Sequence, residues 1–155
     1  MERIDPLKTN SLRDIKIFLK EDKPADAELI LMAIKKKYNI DNIKRVRSGE
    51  EAIEFLDDIN NHITEEGKNS LILIILALFL PRMSGIEVLK HIKKTELNKY
   101  VPVVIFTSSE DKVHMAESYD LHANSYIVKP TDYKELTAAV DDMVQYWCKK
   151  NKLPH

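Results

Sequence analysis

Three polar clusters in this chain have residue types suited to metal and phosphate chemistry, and each follows an apolar run. Glu21 and Asp22 come after Ile15-Lys16-Ile17-Phe18-Leu19. Thr107, Ser108 and Ser109 come after the run 101–106, and Lys129 closes Ser125-Tyr126-Ile127-Val128 just before Pro130. Paired carboxylates bind a hard divalent cation through oxygen, and an ammonium with a hydroxyl holds phosphoryl oxygens. Each cluster alone has a plainer role: acidic residues at a helix start, hydroxyls in a helix cap, a solvated lysine in a turn. Their recurrence at the ends of three apolar runs makes a shared site the better reading.

Those runs belong to a pattern in which strand and helix alternate five times. Pro24 suits a first helical turn, and Ala27, Ile30, Leu31 and Ile34 recur at helical spacing, so 24–38 reads as an amphipathic helix. A short strand near 43–47 follows, and Gly49 leads into a helix with Ala52, Phe55, Leu56 and Ile59 inward. The polar stretch 60–70 reads as a surface loop. The run 71–80, LILIILALFL, is about half the roughly 20 residues of a membrane span and reads as a strand buried on both faces. A helix from Ile86, the strand 101–106, and a helix with Ser108-x-x-Asp111 as a possible capping box come next. The strand 125–128 precedes a last helix starting near Thr131-Asp132, with Leu136, Val140, Met143, Val144 and Trp147 as its stripe. Five βα units predict one α/β domain, a doubly wound parallel five-stranded sheet, over 14–148. Residues 1–13 form an N-terminal extension and 149–155 a tail. In such a sheet ligands sit beyond the carboxyl ends of the strands, where all three polar clusters fall.

The order and context of these motifs resemble the receiver domain of bacterial and archaeal response regulators, from about Asp14 to Trp147. Glu21-Asp22-Lys23-Pro24-Ala25-Asp26 is similar to the acidic pair after the first strand. Ser48-Gly49-Glu50-Glu51-Ala52 is similar to the entry of the second helix, and Leu80-Pro81-Arg82-Met83-Ser84-Gly85 to the loop after the phosphoacceptor strand. The segments ending at Thr107-Ser108-Ser109 and at Lys129-Pro130 are similar to the family's switch-threonine and lysine segments. The resemblance is strongest to single-domain regulators that partner phytochrome-like and sensory histidine kinases. It implies the flavodoxin-like fold, a divalent cation at the acidic pair, Thr107 and Tyr126 as switch residues, and Lys129 at the phosphoryl group.

Counting back from Leu80-Pro81, the family's phosphoacceptor aspartate falls on Ala77. A receiver needs that carboxylate as nucleophile and as metal ligand, and a methyl group is neither. Two further residues depart from the pattern: Lys20, where an apolar strand residue is expected, and Phe79, where a small or polar one is. Glu21 and Asp22 together with Lys20 and Lys129 sum to no net charge. The sequence therefore predicts Lys20 as an internal counter-ion, with Mg²⁺ binding weak or absent at Glu21 and Asp22. A lysine directed to solvent is the alternative. An aspartate-to-alanine substitution made by design is an alternative origin for Ala77, and the further changes at Lys20 and Phe79 speak against it.

The chain has 155 residues, 44% hydrophobic and 32% charged, which supports one domain with a substantial core. Its 24 basic residues nearly balance its 25 acidic ones, so no global field recruits nucleic acid or membrane. Lys35-Lys36-Lys37 and Lys44-Arg45-Arg47 read as a solvated face. A single cysteine, Cys148, and a polar start without a signal-peptide core predict a cytoplasmic protein. The glycine-rich, nucleophile-elbow and clustered metal-ligand motifs of enzymes are missing, and the five histidines are scattered. His122 stands where the family has glycine and reads as a turn residue. The expected role is a phosphorylation-independent regulator that contacts a sensor histidine kinase or another signalling protein. Tyr133, Tyr146 and Trp147, with Cys148 and Leu153, predict a homodimer through the C-terminal helix and tail.

Overall fold

Runs of β-branched and aliphatic residues fold here as short central strands, because both of their faces are covered by helices. The computed structural model describes residues 14–66, 70–78 and 85–154. The extension 1–13, Phe79 and the turn at Pro81 lie outside the described residues. The strands are β1 (Ile17–Lys20), β2 (Ile43–Val46), β3 (Leu73–Leu76), β4 (Val103–Thr107) and β5 (Ser125–Val128). They form one parallel sheet in the order β2-β1-β3-β4-β5. The helices between them are α1 (Pro24–Tyr38), α2 (Gly49–Glu66), α3 (Gly85–Ile92), α4 (Lys112–Asp120) and α5 (Tyr133–Val144).

Period-two alternation divides the core. Ile17, Leu19, Leu73, Ile75, Val104 and Phe106 face α1 and α5. Phe18, Ile74, Leu76, Val103 and Ile105 face the other layer, where Phe18 stacks on Phe55 of α2 with ring centroids 4.6 Å apart. Lys20 follows Phe18 by two residues, so it emerges on the α2 side of β1.

Two expectations require correction. The stretch 60–70 is not all loop: α2 continues through Glu66, because Ile59 is still buried in its apolar stripe and the helix does not end there. The capping box expected at Ser108 is not formed. Asp111 caps α4 instead, its carboxylate accepting the Val113 N–H at 2.8 Å, while Ser108 is exposed. A reciprocal box does open α2. The Glu51 N–H donates to Ser48 Oγ at 3.1 Å, and the Ser48 N–H donates to Glu51 Oε1 at 3.2 Å.

The residue His122 has φ of 65°, the left-handed turn expected of it. Gly85 is required by a close approach. A Cβ there would lie 2.5 Å from the Ala77 carbonyl oxygen and 2.8 Å from a Leu78 methyl, so only glycine lets α3 start against the end of β3. Past α5, the six residues Gln145–Lys150 loosen into a π-helical turn, which the sequence did not signal. In it Trp147 and Cys148 are partly buried against the α1–α5 core, whereas Tyr146 is 51% and Tyr133 63% exposed.

Candidate functional site

Parallel register brings the ends of β1, β3, β4 and β5 to one edge of the sheet. Lys20 pairs with Leu76, and the next peptide along is tied across the strands, the Ala77 N–H donating to the Lys20 carbonyl at 3.0 Å. Thr107 pairs with Val128, and the Lys129 N–H donates to the Thr107 carbonyl at 2.7 Å. Glu21, Asp22, Ala77, Thr107 and Lys129 therefore line one small cavity of about 30 Å³, together with Lys23, Leu78 and Ser108. That is room for water. All three predicted polar clusters meet there.

One lysine in this cavity is paired with two carboxylates. Lys129 Nζ lies 2.7 Å from Glu21 Oε1 and 2.9 Å from Asp26 Oδ2, with the lysine and Glu21 side chains only 5% and 1% exposed. Burial works against the Lys129 ammonium, but its bonds to Glu21 and Asp26 outweigh it and hold its pKa above the ordinary lysine value. The second Glu21 oxygen accepts the Lys23 N–H at 3.2 Å. Arg45 donates two hydrogen bonds to the Glu21 carbonyl, at 3.0 and 2.7 Å, clamping this corner from β2.

Lys20 is directed inward, with 2% of its surface exposed. Its ammonium donates to the Ala77 carbonyl at 3.4 Å, a long bond. Burial lowers its pKa, opposed by Asp22 and then Glu21, whose charges favour the ammonium. The hydrogen-bonded partner of Glu21 is thus Lys129, shared with Asp26, while Lys20 acts on the acidic pair through space. Asp22 Oδ1 is buried and has no hydrogen-bond partner among the described residues.

A divalent cation fits this arrangement poorly. Glu21 is committed to Lys129, Ala77 offers only a methyl side chain, and the Lys20 charge lies beside Asp22. Among the described residues no three acidic, histidine or cysteine side chains are grouped to hold a metal. Mg²⁺ takes six oxygens in near-octahedral array, several from water and one or two from carboxylates, and here only Asp22 is not already paired with an ammonium.

The expected switch residues lie next to the cavity. Thr107 is 4% exposed, and its Oγ1 accepts the Ser109 N–H at 3.4 Å. Tyr126 is packed against the core, and its hydroxyl donates to the Ser109 carbonyl at 2.9 Å, fastening β5 to the loop after β4. Burial pushes the Tyr126 phenol pKa up. Asp26 and Arg45 were not singled out in the sequence. Asp26 had a signal, standing one helical turn after Asp22 at the start of α1, whereas Arg45 was submerged in a basic stretch.

A family model for the response regulator receiver domain matches residues 17–141. The chain belongs to that family. Among relatives of this receiver is the probable methanogenesis regulatory protein FilR2 of Methanothrix harundinacea, 34% identical over 89% of this chain and 86% of that one. The response regulator Rcp1 of a Synechocystis strain is 33% identical over 89% of this chain and 92% of its own length. The crystal structure of the phosphorylated cyanobacterial phytochrome response regulator RcpA superimposes with a TM-score of 0.79 at 34% identity, covering 91% of this receiver and 99% of that chain. A Mn²⁺-bound form of Rcp1 gives 0.75 at 33% identity over 91% and 99%. The match extends across the whole sheet, so the receiver fold and a place in two-component signalling are shown. Among the described residues no helix is long and apolar enough to cross a membrane.

Proposed function

We propose that this response regulator is a pseudo-receiver, whose output is set by protein contacts and not by phosphorylation at residue 77. One observation carries the reading: the phosphoacceptor position is Ala77, and the lysine that would meet a phosphoryl group is already paired with Glu21 and Asp26. Phosphoryl transfer from a kinase or small donor requires a carboxylate nucleophile and electrostatic relief of the transferring group. Ala77 supplies neither. Lys20, aimed at the same strand end, stands in for part of the cation's charge and makes tight divalent binding unnecessary.

The working partners are a sensor histidine kinase or another signalling protein in the cytoplasm, and the chain has no enzymatic role of its own. A homodimer through the C-terminal face is part of the proposal. The exposed Tyr133 and Tyr146 are its anchors, and Trp147 supports them from beneath.

The test is labelling with acetyl phosphate in Mg²⁺, comparing the wild-type chain, Ala77→Asp and Ala77→Asp/Lys20→Met. The wild type and Ala77→Asp should stay unlabelled, because the Lys20 ammonium would pair with the new carboxylate and exclude the cation. Full labelling of Ala77→Asp alone would support the other origin, an ordinary receiver with its acceptor removed.

A further inference from the structure

The chain after α5 departs from α-helical winding, and the departure is confined to one turn. The Gln145 N–H still donates to the carbonyls of Asp141 and Asp142, so α5 is regular up to that residue. The Asn151 N–H then donates to the Tyr146 carbonyl at 2.7 Å, where α winding would use the Lys150 N–H. The segment Gln145–Lys150 thus holds one residue more than an α turn would. Isolated π turns are rare, so a contact from outside the helix must hold this one.

Tyr38 is placed to do so. It sits in the last turn of α1, which Asn39 closes in the left-handed conformation at a φ of 54°. Its hydroxyl donates to the Asp141 carboxylate, and the Asp141 carbonyl and Gln145 Oε1 both lie 3.2 Å from the same oxygen. Lys149 Nζ stands 5.9 Å from the centroid of its ring. Lys37 Nζ, 2.8 Å from the Asp141 carboxylate, stands 6.0 Å from that centroid. One phenol therefore gathers Asp141, Gln145 and Lys149 across the start of the loosened turn. Continuous α winding would carry Lys149 roughly 80° around the axis from Asp141, off the Tyr38 face. The wider turn takes back most of that rotation, which lets the ammonium reach the ring. The same rotation aims the residues between, with Trp147 and Cys148 against the α1–α5 core and Tyr146 outward.

We infer that Tyr38 is a latch that holds the C-terminal turn in its π register, and that releasing the hydroxyl returns the turn to α winding and re-aims Tyr146. The turn is then a two-position element through which the end of α1 governs the C-terminal face. Its bearing on association rests on the reading of that face as a homodimer contact, and the latch itself does not.

Couplings between amide nitrogen and carbonyl carbon across hydrogen bonds, measured by NMR on the isotope-labelled full chain, read the register directly. In the wild type the Tyr146 carbonyl should couple to the Asn151 nitrogen. In Tyr38→Phe, which keeps the ring and loses the hydroxyl, that coupling should vanish and one to the Lys150 nitrogen should replace it. Iodoacetamide in dilute solution should then alkylate Cys148 at least about tenfold faster than in the wild type, because the turn that covers it has moved. Lys149→Gln removes only the ammonium over the ring and should raise that rate by less. Unchanged couplings within β1–β5 verify that the sheet of both variants is intact. A Tyr146–Lys150 coupling in the wild type would overturn the inference, as would a Tyr146–Asn151 coupling retained in Tyr38→Phe. Sedimentation of the same samples keeps the two readings apart. A wild-type monomer removes the homodimer while the couplings still decide the latch, and a wild-type dimer should weaken by about tenfold in Tyr38→Phe.

Discussion

At the scale of single residues, the strand ends hold two buried lysines in unlike circumstances. Lys129 is held by two carboxylates, so Lys129→Met strands Glu21 as a buried charge. Breaking such a pair costs about 3–5 kcal/mol, and the loss should appear as a lower urea midpoint with an unchanged slope. Lys20 is held by one long bond, and its pKa is lowered by burial. The unfolded chain then binds the Lys20 proton more tightly than the folded one. Stability gains from Lys20 as pH rises from the depressed folded value towards the ordinary lysine value of about 10.4. The stability difference between Lys20→Met and wild type should therefore shift in favour of wild type over that window. Urea unfolding near neutral pH and again near about pH 10 measures it, and a difference independent of pH would return Lys20 to solvent. Millimolar Mg²⁺ should leave the melting temperature within that of a matched monovalent salt control, because the site offers one uncommitted carboxylate. A rise of several degrees specific to Mg²⁺ would defeat that expectation.

At the scale of elements, the close contact at Gly85 makes the sharpest prediction. In Gly85→Ala the new methyl meets a backbone carbonyl, which cannot rotate away, so α3 must lift from the end of β3. A cost of about 1–3 kcal/mol follows from overpacking, readable in thermal or urea unfolding. The strands and α1 were legible in the sequence because an apolar run or a 3.6-residue stripe is dictated by what must be buried. The direction of Lys20 was not legible, because a long side chain at a strand end can turn inward or reach solvent, and only the finished sheet leaves it 2% exposed. Other features left no such mark. In α4 the only buried residue is Ser118, whose hydroxyl donates to the His114 carbonyl at 2.8 Å, so no apolar period announces the helix. The 3₁₀ turn Glu96–Lys99 and the π-helical turn after α5 are decided by tertiary packing rather than by local propensity. The tie between Lys129 and Asp26 joins residues 103 apart in sequence and needs the finished sheet to be seen.

At the scale of the whole molecule, the two layers divide the work. The α2–α3–α4 layer carries the larger share of the core, and the α1–α5 layer carries both the contacts of Tyr38 and the aromatic C-terminal face. If Tyr133 and Tyr146 anchor a two-fold dimer, sedimentation at tens of micromolar should give twice the monomer mass, falling to the monomer in Tyr133→Glu/Tyr146→Glu. A monomer throughout, indifferent to removal of 148–155, would end the proposal.

The packing of the tail also has an optical consequence. Trp147 is the only tryptophan in the chain, and its ring meets that of Tyr146 edge-on at 4.8 Å. Light absorbed by that tyrosine passes to the indole, whose emission reports the polarity around it. Covering the C-terminal face should shift that emission to shorter wavelength, and local fraying of the tail should shift it to longer wavelength while the sheet stays folded. The molecule thus carries an intrinsic fluorophore at the junction of its last helix and its tail.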